Sequence, residues 1–358
     1  GLLNSEITFL GKTNSPEIIT DFEFINPKFD KIEGKYLKGK AVYENNNIYF
    51  NNVQLLTDLG SYSGNGYFPL HNMSNSNDIL DLPIDFIITG LSSSLEFFPL
   101  YFDTIDSLSG KYNFVMNVTG TLKEPIRNGD ILINDGEIYL HHFNNYIKEV
   151  EVDAKITNNN IIFNKFNGLM YKKESNETIL NKYIFKPKIN KGKNIQLYGT
   201  MDIKDFFNPY FQLNLRGENV FISSSYMHLE GIANLDLDIL GSHDSILIKG
   251  DFVPLENQFS ILSLDYGNEY NEKVESSLIY NINIPIEGPI KVDTEDLYCN
   301  ISGNLNLSSS IEENYNLSGL VDIIDGYFYD TPGNKYYNLS GNLIFNPGYE
   351  PHLDINAQ

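Results

Sequence analysis

The sequence predicts an all-β fold of mostly antiparallel strands, each with one dry face and one wet face. Three observations predict it. Apolar and polar residues alternate with period two along much of the chain, helical periodicity is nearly absent, and turn signals recur between the alternating runs. The clearest run is Glu149-Val150-Glu151-Val152-Asp153-Ala154-Lys155-Ile156, where every even position is apolar and every odd one charged. Successive side chains of a strand point to opposite faces, so this segment dries one side and wets the other. Parallel sheets covered on both faces carry continuous apolar runs instead, so the alternation favours antiparallel pairing.

The same alternation marks strands at Tyr112–Val118, Phe211–Arg216, Asn234–Ile239 and His352–Ala357. Turns are expected at Asn128-Gly129, Asn134-Asp135-Gly136 and Asp325-Gly326. The glycine-rich Gly60–Gly66 stretch reads as a turn with positive φ residues. The single helix candidate is Ser94–Asp103, capped by the serines at 92–94 and limited to a turn or two by Pro99. Asn181–Lys193 is rich in lysine and reads as a long exposed hairpin. Weak repeats run through these elements. Asn47–Val53 matches Asn160–Phe166 in apolar placement, and Gly120-Thr121 leading to Gly129-Asp130-Ile131 matches Gly241-Ser242 leading to Gly250-Asp251-Phe252. Gly319–Tyr327 is a third variant of that second pattern. The repeated unit is a hairpin, which cannot bury one face alone and must stack or curl with its neighbours.

Composition narrows the function. At 358 residues the chain is long enough for two or three domains or one elongated module. Lys+Arg total 25 against Asp+Glu 47, a net charge of −22, which repels nucleic acid and disfavours adhesion to anionic lipid through a basic patch. Cys299 is the only cysteine, so no intrachain disulfide forms. The most apolar stretch, Leu82–Phe102, holds Asp85, Glu96 and Pro99 and cannot span a bilayer as a helix. The start at Gly1-Leu2-Leu3-Asn4 lacks a signal-type segment and reads as the middle of a longer protein.

Catalytic, metal and cofactor motifs are weak. Gly11-Lys12-Thr13 ends like a phosphate-binding loop, but Glu6 stands where the earlier glycine belongs. His71, His141, His142, His228, His243 and His352 are scattered, and the adjacent pair would point to opposite sides of a strand. Asp293, Glu295 and Asp296 lack the spacing of a calcium loop and read as a solvated strand end. The Asn-x-Ser/Thr triplets at Asn117 and Asn338 read as chance matches in an Asn-rich chain. The expectation is a non-enzyme without cofactor.

Two stretches carry a family resemblance. The first is Gly120-Thr121-Leu122, then Pro125 through Ile138; the second is Ser318–Phe328, then Leu339–Phe345 and Pro351–Ala357. Their order of Gly-bounded strand, Gly-Tyr pair, Gly-x-Leu-x-Phe and Pro-x-Leu-Asp-Ile-x-Ala resembles the C-terminal module of the TamB family. The resemblance covers about residues 82–358, with residues 1–81 a more weakly similar segment of the same continuous groove, and the chain ends where family members continue. It implies a long curled sheet, taco-like, with an apolar inner face. It also implies a periplasmic location within a protein anchored to the inner membrane, and an outer-membrane barrel partner of the TamA/BamA type whose contact region is missing here. The wider AsmA-like group moves phospholipid between membranes, and TamB is also associated with outer-membrane protein assembly. On this reading phospholipid acyl chains would meet Ile48, Phe50, Phe114, Met116, Ile131, Ile133, Val150, Val152, Ala154, Ile156, Ile161, Phe163, Leu213, Leu235, Leu237 and Ile239.

The residues alone leave another reading of those positions open: the ordinary core of a closed β-sandwich, which the resemblance weighs against. An adhesin or autotransporter segment of the outer membrane is the functional alternative. A membrane barrel also alternates, but it carries aromatic girdles and even ten-residue segments, whereas strand lengths and turn spacing here are irregular. An enzyme on a β-helix would need a strict short coil repeat and a catalytic cluster on one face, and neither is visible.

Overall fold

A computed structural model describes residues 1–13, 15–29, 31–70, 80–96, 107–140, 145–172, 193–205, 208–224, 229–242, 244–261, 278–309, 316–330, 333–347 and 352–357. The fold is all-β, and no described residues form an α-helical segment. The strands are β1 (Leu2–Lys12), β2 (Ser15–Ile25), β3 (Lys28–Phe29), β4 (Ile32–Glu44), β5 (Asn47–Thr57), β6 (Ser61–Pro69), β7 (Asp85–Ser94), β8 (Ser107–Gly120), β9 (Pro125–Leu140), β10 (Asn145–Thr157) and β11 (Asn160–Lys172). They continue as β12 (Ile195–Asp202), β13 (Tyr210–Ser224), β14 (Leu229–Ser242), β15 (Ser245–Ile261), β16 (Leu278–Asp293), β17 (Leu297–Ser308), β18 (Asn316–Tyr329), β19 (Lys335–Tyr337), β20 (Ser340–Phe345) and β21 (His352–Asn356). Apart from the two-residue β3, they belong to one open sheet in which nearly every ladder is antiparallel.

The chain divides into two compact units. Unit 1 comprises Gly1–Glu137, Val150–Phe166 and Asp202–Phe206; unit 2 comprises Ile138–Glu149, Asn167–Met201 and Phe207–Gln358. In unit 1, β1 pairs β2, β2 pairs β4, and the ladder then follows chain order through β8. In unit 2 it follows chain order from β13 to β18, which also pairs β19 and β20, and β20 pairs β21. Among these ladders β15 and β16 run parallel.

The alternating runs are strands as expected. β10 is the plainest case, with Val150, Val152, Ala154 and Ile156 between 1% and 5% exposed while Asp153, Lys155 and Thr157 face solvent. The pair Asn47–Val53 and Asn160–Phe166 is a true repeat: each is a strand entered through a two-residue turn, Asn45-Asn46 at φ 49° and 61° and Asn158-Asn159 at φ 49° and 66°. Those angles define a mirror-image turn whose twist matches the flanking strands, and asparagine tolerates them.

Several local expectations need correction. Asn128-Gly129 and Asn134-Asp135-Gly136 lie inside β9, and Asp325-Gly326 lies inside β18. Asp135-Gly136 and Asp325-Gly326 mark bulges rather than hairpin turns, and Asn128-Gly129 is strand with ordinary φ. Asp135 has φ 56°, and the β17–β18 register slips between Asn300 and Ile301, opposite Asp325 and Ile323. A bulge needs the same left-handed backbone as a tight turn, so the local signal is identical. The repeated hairpin therefore closes elsewhere than at its Asp-Gly. Gly60–Gly66 is not a positive-φ turn either, because Ser61–Pro69 is β6 and Gly60, Gly64 and Gly66 all have ordinary φ. At the expected helix, Ser94 ends β7 and its hydroxyl accepts the Glu96 N–H at 3.2 Å, while residues 97–106 lie outside the described residues. The Asn181–Lys193 hairpin falls on residues that, except for Lys193, are also outside them.

Candidate functional site

Strand register in unit 1 hands one apolar face from strand to strand. Phe22 lies opposite Gly39, Leu37 opposite Leu55, Phe50 opposite Gly66, Gly66 opposite Phe86 and Ile88 opposite Met116. Ile48 and Phe114 share this face, two residues from Phe50 and Met116. The opposite face is mixed: Asp21 lies opposite Lys40, Glu23 opposite Lys38, Gln54 opposite Ser63 and Ser63 opposite Thr89, while Ile87 and Val115 are exposed on it.

The apolar face has a built texture. A Cβ on Gly66 would overlap the Phe86 ring, one on Gly90 would overlap the Phe114 ring, and one on Gly39 would sit 3.2 Å from the tip of Phe22. Each ring therefore lies across the backbone of the next strand instead of standing up from it. Tyr112 and Phe114 stack at 5.9 Å, and Phe50 and Phe86 approach to 6.1 Å. This makes a shallow, continuous hydrocarbon surface. Ile48, Phe50, Phe114, Met116, Ile131 and Ile133 are all only half-buried. A sealed sandwich face would bury such residues completely, and these six keep part of their surface exposed.

One hydrogen-bonding device recurs where strands slip register. The β5–β6 ladder slips between Phe50 and Val53, β7–β8 between Gly90 and Ser93, and β13–β14 between Gly217 and Val220. At each slip a residue turns left-handed: Asn52 at φ 51°, Ser92 at 51° and Asn219 at 53°. Its N–H leaves the ladder and donates to an asparagine Oδ1 on the next strand, Asn65 at 2.7 Å, Asn113 at 2.8 Å and Asn234 at 2.9 Å. Such bulges bend a strand and tighten its twist. The clasp satisfies the donor that the bulge would otherwise orphan.

Unit 2 carries an apolar face of its own, and it changes character along the strands. Toward one end Leu213 lies opposite Ile239, Leu215 opposite Leu237, Ile239 opposite Ile248 and Ile282 opposite Leu307, all half-buried. Toward the other, Val220, Ala233, Val292, Cys299, Ile301, Val321 and Leu343 are 0% exposed. The outer face pairs acids with amides. Asn214 donates to Asp236 at 2.8 Å and Asp238 at 3.1 Å, Asn283 to Asp251 at 2.9 Å, and Asn300 to Asp325 at 2.6 Å. A neutral amide satisfies a carboxylate without cancelling its charge, so this face stays acidic while its hydrogen bonds are met.

None of the sixteen residues expected to line a groove is exposed. They divide by depth. Val150, Val152, Ala154, Ile156, Ile161 and Leu235 are buried core, whereas Ile48, Phe50, Phe114, Met116, Ile131, Ile133, Phe163, Leu213, Leu237 and Ile239 are half-buried. The glycine–ring pairs and the asparagine clasps are not apparent from sequence alone, because only register brings Gly66 beneath Phe86 or Asn65 beside Asn52.

Among the described residues no group of three or more His, Cys, Asp or Glu is placed to hold a metal. Asp293, Glu295 and Asp296 are exposed at the β16–β17 turn, and His352 is exposed on β21. His71, His141, His142, His228 and His243 lie outside the described residues. Gly11 closes the β1–β2 hairpin at φ 83°, which gives Gly11-Lys12-Thr13 a turn role. Burial, aided by the charge of Asp325, pushes the Cys299 thiol up to about 12 and leaves it protonated. No helix in the described residues is long and apolar enough to cross a membrane.

Comparison with known proteins gives one match. Residues 182–358 match the family model described as the TamB C-terminal domain. No curated protein and no solved structure matches the chain. The matched region includes the closing stretch Ser318–Ala357 on which the resemblance rested, along with the half-buried Leu213, Leu237 and Ile239 of unit 2.

Proposed function

The chain belongs to the TamB family, and from that premise we propose that its apolar sheet faces carry the acyl chains of phospholipid in the cell envelope. The family is one of non-enzymatic envelope-assembly and transport proteins working with an outer-membrane partner. The finer reading is a periplasmic, bridge-like carrier, held at the inner membrane in the whole protein, that delivers lipid toward an outer membrane and assists the assembly of proteins there. Its barrel partner is of the TamA/BamA type.

One observation carries this reading: a run of apolar side chains over β5–β9 that keep part of their surface exposed, Phe50, Met116 and Ile131 among them. An acyl lipid moved through water exposes on the order of 30 methylenes at about 0.8 kcal/mol each, roughly 24 kcal/mol. A track cancels that cost only if it is unbroken. A gap one strand wide, about 4.8 Å, leaves about four methylenes per chain wet at roughly 3 kcal/mol. The handover of apolar residues from strand to strand meets that requirement, and rings laid over glycine keep the surface level. The acidic outer face supports solubility and resists edge-to-edge pairing.

The test is native mass spectrometry of the purified chain. Wild type should retain phospholipid, and Met116→Glu should shed it, because that side chain points into the half-buried face. Val115→Glu, one residue along and 41% exposed on the other face, should retain it. Lipid-free wild-type protein, or equal retention by the two variants, would contradict the proposal. Val152 is unsuitable for this purpose: at 5% exposure, a glutamate there would test folding rather than passage.

A further inference from the structure

The chain has two arginines, Arg127 and Arg216, and they are used differently. Arg216 of β13 is exposed and lies 3.7 Å from the Asp236 carboxylate. Arg127 of β9 is half-buried, and among the described residues it forms no ion pair, although Asp+Glu outnumber Lys+Arg by 47 to 25. Its partners are neutral instead. Nη1 donates to Asn159 Oδ1 and to the Ile203 carbonyl, each at 3.3 Å. Asn159 is itself held in place: its Oδ1 accepts the Arg127 backbone N–H at 2.8 Å, and its Nδ2 donates to the Pro125 carbonyl at 3.0 Å.

A guanidinium carries five N–H donors in a fixed plane, and here the bonds to protein leave from Nη1. The Nε–H and the adjacent Nη2–H form the parallel edge that grips a carboxylate or phosphate through two bonds. That edge is held in position and lacks an anion among the described residues. Burial lowers Arg127 from the ordinary arginine value and is the only cause of the shift, so no carboxylate supports its charge. Its place on β9 links it to the apolar face. Ile126, Asp130, Leu132 and Asn134 are exposed, whereas Arg127, Ile131 and Ile133 are half-buried, and alternation puts these three on one side of the strand. A Cβ on Gly136 would sit 3.3 Å from both Ile133 and Val150, so that side is shared with the apolar side of β10.

We propose that the Nε–Nη2 edge of Arg127 binds a phosphate group, and that this phosphate belongs to the headgroup of a phospholipid whose acyl chains lie over Ile131 and Ile133. The inference rests on the lipid-carrying reading above and adds a headgroup site to it. Arg127 and Ile131 are four residues apart, about 14 Å along the strand, with only Gly129 between them on that side. A phospholipid in one leaflet is about 20 Å long, half the full thickness of a bilayer, so one molecule reaches both positions. A zwitterionic headgroup adds no net charge, whereas a free phosphate is opposed by the chain's net −22. A hydrocarbon face alone lets acyl chains lie either way round. A cation at one end fixes which way the lipid points.

The experiment measures binding of the complete chain to pyrene-labelled phosphatidylcholine and to pyrene-labelled diacylglycerol with the same chains, and titrates inorganic phosphate separately by calorimetry. Wild type should prefer phosphatidylcholine by about tenfold, the lower end for hydrogen bonding to a charged group. Arg127→Gln should abolish that preference and leave diacylglycerol binding unchanged. Arg216→Gln removes the same charge elsewhere and should keep it. Arg127→Lys retains the charge but not the fork, so it should keep only part of the preference; it carries the test should the glutamine variant lose its thermal unfolding transition. Equal binding of the two lipids by wild type, a preference undiminished in either Arg127 variant, or the same loss in Arg216→Gln overturns the headgroup site and leaves the apolar track standing. Inorganic phosphate that binds wild type but not Arg127→Gln, with no lipid preference, assigns the edge to a free anion and overturns the headgroup contact. A wild type that binds neither lipid overturns the lipid-carrying reading as well.

Discussion

Replacing one isoleucine at each end of the unit 2 face separates an open surface from a closed core. Ile301 is 0% exposed and lies opposite Ile323, whereas Ile239, opposite Leu213 and Ile248, is half-buried. Ile→Ala removes three carbons, worth about 2.4 kcal/mol at 0.8 kcal/mol each. At Ile301 the surrounding core also leaves a cavity, bringing the loss to about 3–4 kcal/mol. At Ile239 part of the side chain already meets water, so the loss should be about 1 kcal/mol. The assay is equilibrium unfolding in urea followed by circular dichroism. With slopes unchanged, the two midpoints should differ by the equivalent of about 2 kcal/mol. Losses equal within about 0.5 kcal/mol would refute the reasoning, because they would mean that Ile239 is packed as tightly as Ile301.

Three other outcomes are expected. Gly66→Ala should cost about 1–3 kcal/mol by driving the Phe86 ring off the strand, and a double-mutant cycle with Phe86→Leu should show coupling between the two positions. Asn234→Ala should cost about 1–3 kcal/mol by orphaning the Asn219 N–H, and Asn234→Asp, which keeps the acceptor oxygen, should recover most of it in the same unfolding assay. Cys299 adds a pH dependence. Its folded value of about 12 lies above the unfolded value near 9, so the unfolded state loses its proton first and stability falls as pH rises from about 9 toward 12. Cys299→Ala should lack that component, visible as a shallower fall in unfolding free energy between pH 8 and pH 11.

The fold class was legible because period two is a direct consequence of strand geometry, and β10 shows it residue for residue. Bends and turns were less legible. Asp-Gly reports a left-handed backbone but not its purpose, and in β9 and β18 it serves bulges inside long strands, while Asn128-Gly129 simply continues β9. Gly60–Gly66 misled for a related reason: Gly66 makes room for the Phe86 ring and Gly60 for Ser93, and none of its glycines is there for φ. That pairing is set by register, over separations such as Gly66 to Phe86. The direction of the candidate groove residues was readable from alternation, but their depth was not. Val152 and Met116 have the same local pattern, yet one is core and the other half-buried, because depth depends on what packs above the sheet. The setting of Arg127, whose guanidinium reaches Asn159 and Ile203, has no local signature.

Uptake of lipid on the half-buried apolar face of unit 1 can be read by spin-label accessibility. Labels would be placed at Phe50 and Met116 on the half-buried face, and at Tyr49 and Val115 on the opposite face. Collision rates with oxygen and with a water-soluble nickel chelate would be recorded before and after adding diacyl phospholipid. Lipid bound on that face should raise oxygen and lower nickel collisions at Phe50 and Met116 and leave Tyr49 and Val115 unchanged. No change at Phe50 and Met116, or the same change at all four positions, would contradict it.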